Sequence, residues 1–117
     1  MVERRTFPHA ARITRKAEYV HVFSRGEKLP GRAFICHVLT DAGLESRLGL
    51  VVSRKVGRAV VRNRIKRHIR EFFRHNRSRL EPGSQVVVVA RASSALLDGS
   101  GCARELEWSL RKRLRDA

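Results

Sequence analysis

The pattern of apolar and polar positions along the chain predicts three β-strands. Ala33–Thr40 alternates between the two types of residue, and Arg47–Ser53 follows it after a turn at 41–43. These two segments are therefore predicted to pair as an antiparallel hairpin. A third segment, Gln85–Arg91, is apolar on both faces and is predicted to be a central strand. The pattern leaves open a further short strand near Lys28.

Three other segments repeat their apolar residues with helical spacing. The first has Thr14 as a candidate N-cap and Gly26 just beyond its end, and it places Tyr19 and Phe23 on one face. The three predicted helices cover residues 14–25, 57–74 and 102–114. Together with the strands they give the order αββαβα, or αβ(β)βαβα with the extra strand near Lys28. This order predicts an α+β fold.

The length of the chain, 117 residues, suits a single domain with one modest core. We expect residues 14–117 to form this domain and residues 1–13 to form an irregular basic arm. No apolar run approaches the ~20 residues of a membrane helix, and the N-terminus lacks the apolar segment of a secretory signal. Cys36 and Cys102 lack the spacing of zinc ligands and are typical of reduced thiols. A cytoplasmic protein without a membrane partner is expected.

The net charge of the chain indicates what kind of partner the protein binds. The chain has 26 Lys and Arg against 11 Asp and Glu, which gives a formal net charge of +15. Such a charge opposes a compact state through self-repulsion, so a polyanionic partner is indicated. Arg outnumbers Lys, and because guanidinium groups bind phosphate in a bidentate manner and stack on bases, nucleic acid is favoured over a lipid surface.

The predicted helix at 57–74 separates its apolar and basic residues onto different faces. When each residue is advanced by about 100°, the buried stripe contains Val61, Ile65, Ile69, Phe72 and Phe73. The opposite arc carries Asn63, Lys66, Arg67, Arg70 and Arg74. Glu71 is the one acidic residue between positions 54 and 79. Because an ordinary solvated face would mix both signs of charge, this face predicts binding to polyphosphate.

The segment Ser53–Glu71, with Arg62-Asn63-Arg64 at its centre, resembles the signature of the bacterial ribonuclease P protein subunit. The similarity extends from about Ile13 to Leu114. It implies a single-domain α/β sandwich with a small mixed sheet packed by helices. It also implies a left-handed βαβ crossover through the basic helix, against the usual right-handed rule.

The resemblance implies an endoribonuclease that works as a ribonucleoprotein. A large catalytic RNA, with Mg²⁺, removes the 5′ leader from precursor tRNA in tRNA 5′ maturation. The resemblance implies that the protein subunit binds both the catalytic RNA and the leader, in a 1:1 protein–RNA assembly. It implies no binding to DNA. No protein side chain is expected to be catalytic, and no metal or cofactor is expected to be bound by the protein itself.

The family pattern also assigns residues to two binding surfaces. The basic helix and the loop before it would bind the catalytic RNA through Arg54, Lys55, Arg58, Arg62, Asn63, Arg64, Lys66, Arg67 and Arg70. A cleft between the first helix and the sheet would hold the leader through Tyr19, Phe23, His37, Lys66, Arg67 and Arg70. Relatives often carry Tyr where this chain has His37, which offers a smaller ring for stacking. Without the resemblance, Tyr19 and Phe23 also fit plain core packing.

Other classes of protein explain less of the sequence. The alternative is a small basic ribosomal or other structural RNA-binding protein, which would share the charge but not the Arg62-Asn63-Arg64 segment. A helix–turn–helix protein needs a short helix where Arg47–Ser53 predicts a strand. An autonomous nuclease needs clustered carboxylates or convergent acid–base groups, and the acidic residues here are scattered singly.

Trp108 stands apart from the predicted core. On the last helix it points away from the leucines at 106, 110 and 114 and lies among Arg104, Arg111 and Arg115. The sequence leaves two interpretations open. The ring either folds back over a neighbouring element or stays exposed and stacks on RNA.

Overall fold

The computed structural model describes residues 11–41 and 43–116. Within them, three helices and four strands follow one another in the predicted αβ(β)βαβα order, so the short strand near Lys28 is present. The elements are α1 (Lys16–Arg25), β1 (Glu27–Leu29), β2 (Phe34–Thr40), β3 (Arg47–Val51), α2 (Ala59–Asn76), β4 (Ser84–Ala90) and α3 (Gly99–Ser109). Short 3₁₀ turns occupy Arg77–Arg79 and Ala92–Leu96. The α+β class is confirmed.

The four strands form one mixed sheet in the order β1-β2-β4-β3. β4 pairs antiparallel with β2, where Cys36 faces Val88, and parallel with β3, where Leu50 faces Val88. The predicted antiparallel hairpin of 33–40 with 47–53 is therefore wrong, while the predicted central position of the third strand is confirmed. The physical reason is the composition of β4. Its two apolar faces need cover from both layers, which an edge position would not provide.

The bounds of all three helices differ from prediction, by two residues at each end of α2 and through local capping at the starts of α1 and α3. α1 has Arg15 as its N-cap instead of Thr14, with the Glu18 carboxylate accepting a hydrogen bond from the Arg15 backbone N–H. α3 begins at Gly99 because the Asp98 side chain accepts a hydrogen bond from the Gly101 N–H at 2.7 Å. It ends at Ser109; residues 110–113 form turns and Leu114 is irregular, where a helix was predicted.

Helices cover both faces of the sheet. α2 and α3 pack on one face, where Ile65 and Leu106 are buried against Phe34 and Cys36. α1 packs on the other face through Val22. Both cysteines are free and buried, and burial raises the pKa of the Cys36 thiol to about 12. The sheet thus separates the α1 layer from the layer of α2 and α3.

The end of the predicted arm packs onto the domain. Residues 1–10 lie outside the described part of the chain. Ala11 and Ile13 are buried, and the Ile13 N–H donates a hydrogen bond to the Leu48 carbonyl at 2.9 Å. Arg12 forms a parallel bridge with Leu48. This short segment therefore lies along the outer edge of β3.

Two further expectations concern connections and membranes. The parallel strands β3 and β4 are joined by a crossover that contains α2, as the family resemblance implies. The left-handedness of that crossover stays a prediction.

Among the described residues, no helix is both long enough and apolar enough to span a bilayer.

Candidate nucleic-acid interface

Tyr19 is held over the sheet by backbone groups. Its hydroxyl accepts a hydrogen bond from the Leu50 N–H at 3.1 Å and donates one to the Ile13 carbonyl at 3.2 Å. Its ring lies directly above Gly49, where an added Cβ would come within 2.8 Å of the ring carbon Cε1. The glycine in β3 therefore makes room for this ring. Tyr19 is a fixed part of the surface between α1 and β3.

Beside Tyr19 lies a pocket of about 220 Å³, which we call the cationic pocket. Three basic side chains line it: Arg12 from the segment before α1, and Lys66 and Arg70 from successive turns of α2. No acidic residue of the described chain lines it. Burial lowers the pKa of the Arg70 guanidinium, and the nearby charge of Arg12 lowers it further. A pocket that gathers like charges in this way is suited to an anion such as a phosphate.

A pair of rings lies on the same side of the sheet. The rings of Phe23 and His37 meet edge to face, with centroids 4.7 Å apart and an interplanar angle of 80°. Phe23 is 41% exposed although it is apolar. Burial, with the charge of Lys28 adding to it, lowers the pKa of His37, which favours the neutral form of this ring. The pair, which we call the aromatic edge, offers ring surface without a strong charge.

The predicted leader residues separate into three groups. Tyr19, Lys66 and Arg70 come together in the cationic pocket. Phe23 and His37 form the aromatic edge, one helical turn along α1 from Tyr19. Arg67 does not line the cationic pocket and is exposed on the outer face of α2.

The residues predicted to bind the catalytic RNA surround the N-terminal half of α2. Arg54, Lys55 and Arg58 are exposed in the turn before the helix, and Asn63 is exposed on its outer face. The Nε–H of Arg62 donates to the Gly57 carbonyl at 3.2 Å. Further along α2, Glu71 forms an ion pair with Arg74, so the acidic partner that the described part of α2 supplies lies at the helix end distant from these residues.

The Arg62 side chain bonds to the turn before its own helix, whereas the Arg64 side chain reaches a different element of the fold. Its Nη2 donates a hydrogen bond to the Ala95 carbonyl at 2.6 Å, across to the 3₁₀ turn before α3. Its Nε is buried without a hydrogen-bond partner among the described residues. Arg64 therefore ties α2 to the turn that leads into α3.

Replacing Arg64 by Ala is expected to lower the free energy of unfolding by about 1–2 kcal/mol, because a charge-assisted hydrogen bond is lost and the Ala95 carbonyl loses its partner. The matched control is Arg67→Ala, which removes an exposed guanidinium from the same helix and should change stability by no more than ~0.5 kcal/mol. Urea unfolding of both variants checks this. Equal stability of the two would mean that the Arg64–Ala95 bond does not stabilise the fold.

Sequence reasoning missed Arg12 as a site residue, because it assigned the residue to an irregular arm. The signal that could have found it is the pair Arg12-Ile13, in which a buried apolar residue fixes the position of the basic residue before it. No group of three or more His, Cys, Asp or Glu that could hold a metal ion occurs in residues 11–41 and 43–116. The chemistry of this surface, as far as it is described, is therefore that of cations and rings.

Comparison with known proteins gives concordant matches over most of the chain. The family model described as Ribonuclease P matches residues 7–114. The ribonuclease P protein component of Desulfovibrio desulfuricans is 42% identical over 118 residues, covering 97% of this chain and 91% of that protein. The corresponding protein of Beutenbergia cavernae is 41% identical over 104 residues, covering 88% of this chain and 87% of that one.

Solved structures agree with these sequence matches. The RNase P protein of Staphylococcus aureus superposes with a TM-score of 0.81 at 30% identity, covering 87% of this chain and 94% of that one. The RNase P protein of Thermotoga maritima superposes with a TM-score of 0.77 at 30% identity, covering 86% and 96%. Matches of this length and identity, on a shared fold, show that the chain belongs to the family of bacterial ribonuclease P protein subunits.

Proposed function

We propose that this ribonuclease P subunit binds the RNA subunit through the basic surface of α2 and holds the 5′ leader of precursor tRNA between α1 and the sheet. One protein would bind one RNA subunit, in the cytoplasm. Residues 14–117 would act as the RNA-binding domain and residues 1–13 as a basic arm. The observation that carries the proposal is the cationic pocket, in which three basic side chains adjoin the ring of Tyr19.

The cationic pocket accounts for binding to the sugar–phosphate backbone. Lys66 and Arg70 are four residues apart on α2, so their charged groups can contact neighbouring phosphates of one strand. Arg12 approaches from the β3 edge and adds a third positive charge. Phosphate contacts of this kind provide affinity and position without reading sequence, which suits a subunit that must accept many leaders.

The rings account for a preference for single-stranded RNA. Unpaired bases stack on aromatic side chains, whereas the bases of a duplex are already stacked on each other. Phe23 is exposed, and the ring of His37 supports it from the sheet. A leader that reaches the cationic pocket would pass the aromatic edge on the same side of the sheet. The body of mature tRNA, which has no leader, would contact neither.

The division of labour follows from the residues that form the surface. We assign bond cleavage to the RNA subunit with Mg²⁺, and binding and orientation of the leader to the protein. Hydrolysis by protein side chains would need a carboxylate or an acid–base pair at the bound phosphate. The described residues that line the cationic pocket instead supply three cations, the Thr14 hydroxyl, the Tyr19 ring and apolar groups.

The variant that tests the leader assignment is Phe23→Ala in the assembled holoenzyme. Its affinity for precursor tRNA should fall about tenfold, because stacking of one base on one ring contributes ~1–3 kcal/mol. Its affinity for mature tRNA should stay nearly unchanged. Paired titrations with the two ligands at one salt and Mg²⁺ concentration measure both quantities.

Two controls separate stacking from packing. Phe23→Leu keeps apolar bulk without a ring and should resemble Phe23→Ala, while Phe23→Tyr keeps the ring and should bind like the unmodified protein. Val20→Ala, another exposed position on α1, should have no effect. Equal losses of precursor and mature tRNA, in a variant with an unchanged melting temperature, would show that this ring does not contact the leader.

A further inference from the structure

The outer face of α3 carries an aromatic and cationic surface that is not part of the proposed leader site. Trp108 is 54% exposed, so the ring does not fold back over a neighbouring element. The guanidinium carbon of Arg111 lies 3.7 Å from the ring centroid, and Arg111 Nη1 donates a hydrogen bond to the Trp108 carbonyl at 2.8 Å. More than half of the tryptophan thus stays accessible with an arginine already stacked on it.

The basic residues around this ring lack acidic partners. Arg104 lies one turn before Trp108 on the same face, and its Nη1 donates a hydrogen bond to the Ser100 hydroxyl at 3.2 Å. The two glutamates of α3 are paired elsewhere, Glu105 with Arg32 and Glu107 with Arg79. No ion pair of the described residues includes Arg104 or Arg111. Two uncompensated guanidinium groups therefore flank one exposed indole.

Neither the core nor the established packing explains this arrangement. Leu106, on the opposite side of α3, and Leu110, just beyond the end of the helix, are fully buried or nearly so, and they anchor the helix without the tryptophan. An exposed indole stabilises the fold little, and exposed apolar surface is a liability unless a partner covers it. An apolar protein partner would be a poor match, because the neighbours of the ring along the helix are arginines.

We propose that Trp108, with Arg104 and Arg111, is a second RNA contact that stacks an unpaired nucleotide. The indole and the stacked guanidinium offer planar surface to a base, and the second guanidinium can bind the adjoining phosphate. α3 packs on the sheet face that contains Phe34, whereas α1 packs on the other face. The nucleotide is therefore not part of a leader bound at α1. It belongs to the RNA subunit or to the body of tRNA.

Trp108 is the only tryptophan of the chain, so its fluorescence reports this site alone. Titration of the protein with a single-stranded hexaadenylate should quench the emission. Inorganic polyphosphate, which has charge but no bases, should not quench it at equal ionic strength. Phe23→Ala should show the same quenching, because the aromatic edge lies on the other side of the sheet.

Affinity measurements identify the source of the nucleotide. Trp108→Leu should weaken binding of the RNA subunit about tenfold, and Trp108→Phe should restore most of that loss. Leu96→Ala, which removes another exposed apolar side chain, should change nothing. If Trp108→Leu instead weakens holoenzyme binding of precursor and mature tRNA equally, the nucleotide comes from the tRNA body and the stacking site still holds.

Two results would overturn the proposal. One is the absence of base-dependent quenching together with unchanged affinity of Trp108→Leu for all three RNAs. The other is a loss of affinity without quenching, which would mean that the ring acts by some means other than stacking. The leader assignment is judged separately, since it predicts a loss for precursor tRNA alone, in Phe23→Ala.

Discussion

Ile65→Ala is expected to lower the free energy of unfolding by about 2–5 kcal/mol, because a fully buried β-branched side chain is replaced by a methyl group and leaves a cavity. Ile65 lies at the centre of the core between α2 and the sheet. For a domain of this size, a loss of 1 kcal/mol corresponds to a shift in melting temperature of about 4 °C. Thermal melts followed by circular dichroism measure the effect.

The matched control on the same helix is Val60→Ala. Val60 is also β-branched but is 79% exposed, so its truncation removes little buried surface and should change stability by no more than ~0.5 kcal/mol. The pair of variants tests which face of α2 is buried. Similar melting temperatures for Ile65→Ala and the unmodified protein would mean that the basic face of α2 has been assigned incorrectly.

The second large effect concerns binding. The double variant Lys66→Ala/Arg70→Ala should weaken binding of RNA about a hundredfold at roughly 0.1 M salt, because two charge-assisted contacts of about 1.5 kcal/mol each are lost. The slope of log K against log salt should become shallower by about 1.4–1.8, since each phosphate contact contributes ~0.7–0.9. Titrations at several salt concentrations measure both numbers.

A control variant must remove the same charge from elsewhere. Arg25→Ala/Arg91→Ala removes two exposed guanidinium groups that do not line the cationic pocket, and it should lose much less affinity. If both double variants lose equal affinity, RNA responds to net charge alone. The cationic pocket would then have no special role.

The features predicted correctly from the sequence depend on short-range patterns. The buried stripe of α2 follows from spacing along one helix: Ile65, Ile69, Phe72 and Phe73 are buried, and Val61, predicted with them, is half-buried. The central place of β4 follows from its composition alone. In each case the residues that decide the structure are neighbours in sequence, so a local pattern is sufficient.

The features that were missed depend on residues far apart in sequence. The hairpin prediction failed because a short turn favours pairing of adjacent strands, whereas β4, more than thirty positions further along, inserts between them. Arg12 reaches the cationic pocket only because Ile13 bonds to Leu48. The Arg64 side chain bonds to the carbonyl of Ala95, which lies in the 3₁₀ turn before α3. No periodicity in the sequence encodes such contacts.

The central position of β4 has a consequence for folding of the protein during its synthesis on the ribosome. β2 and β3 do not pair with each other; each pairs with β4, which lies between them. A nascent chain that has emerged only as far as Leu80 contains α1 and α2 but cannot complete its sheet, because β4 is still missing. Cooperative folding therefore waits for the last third of the polypeptide, and the closing contacts span long loops. During that interval the basic segment of α2 is already exposed to cellular RNA before its apolar side is covered.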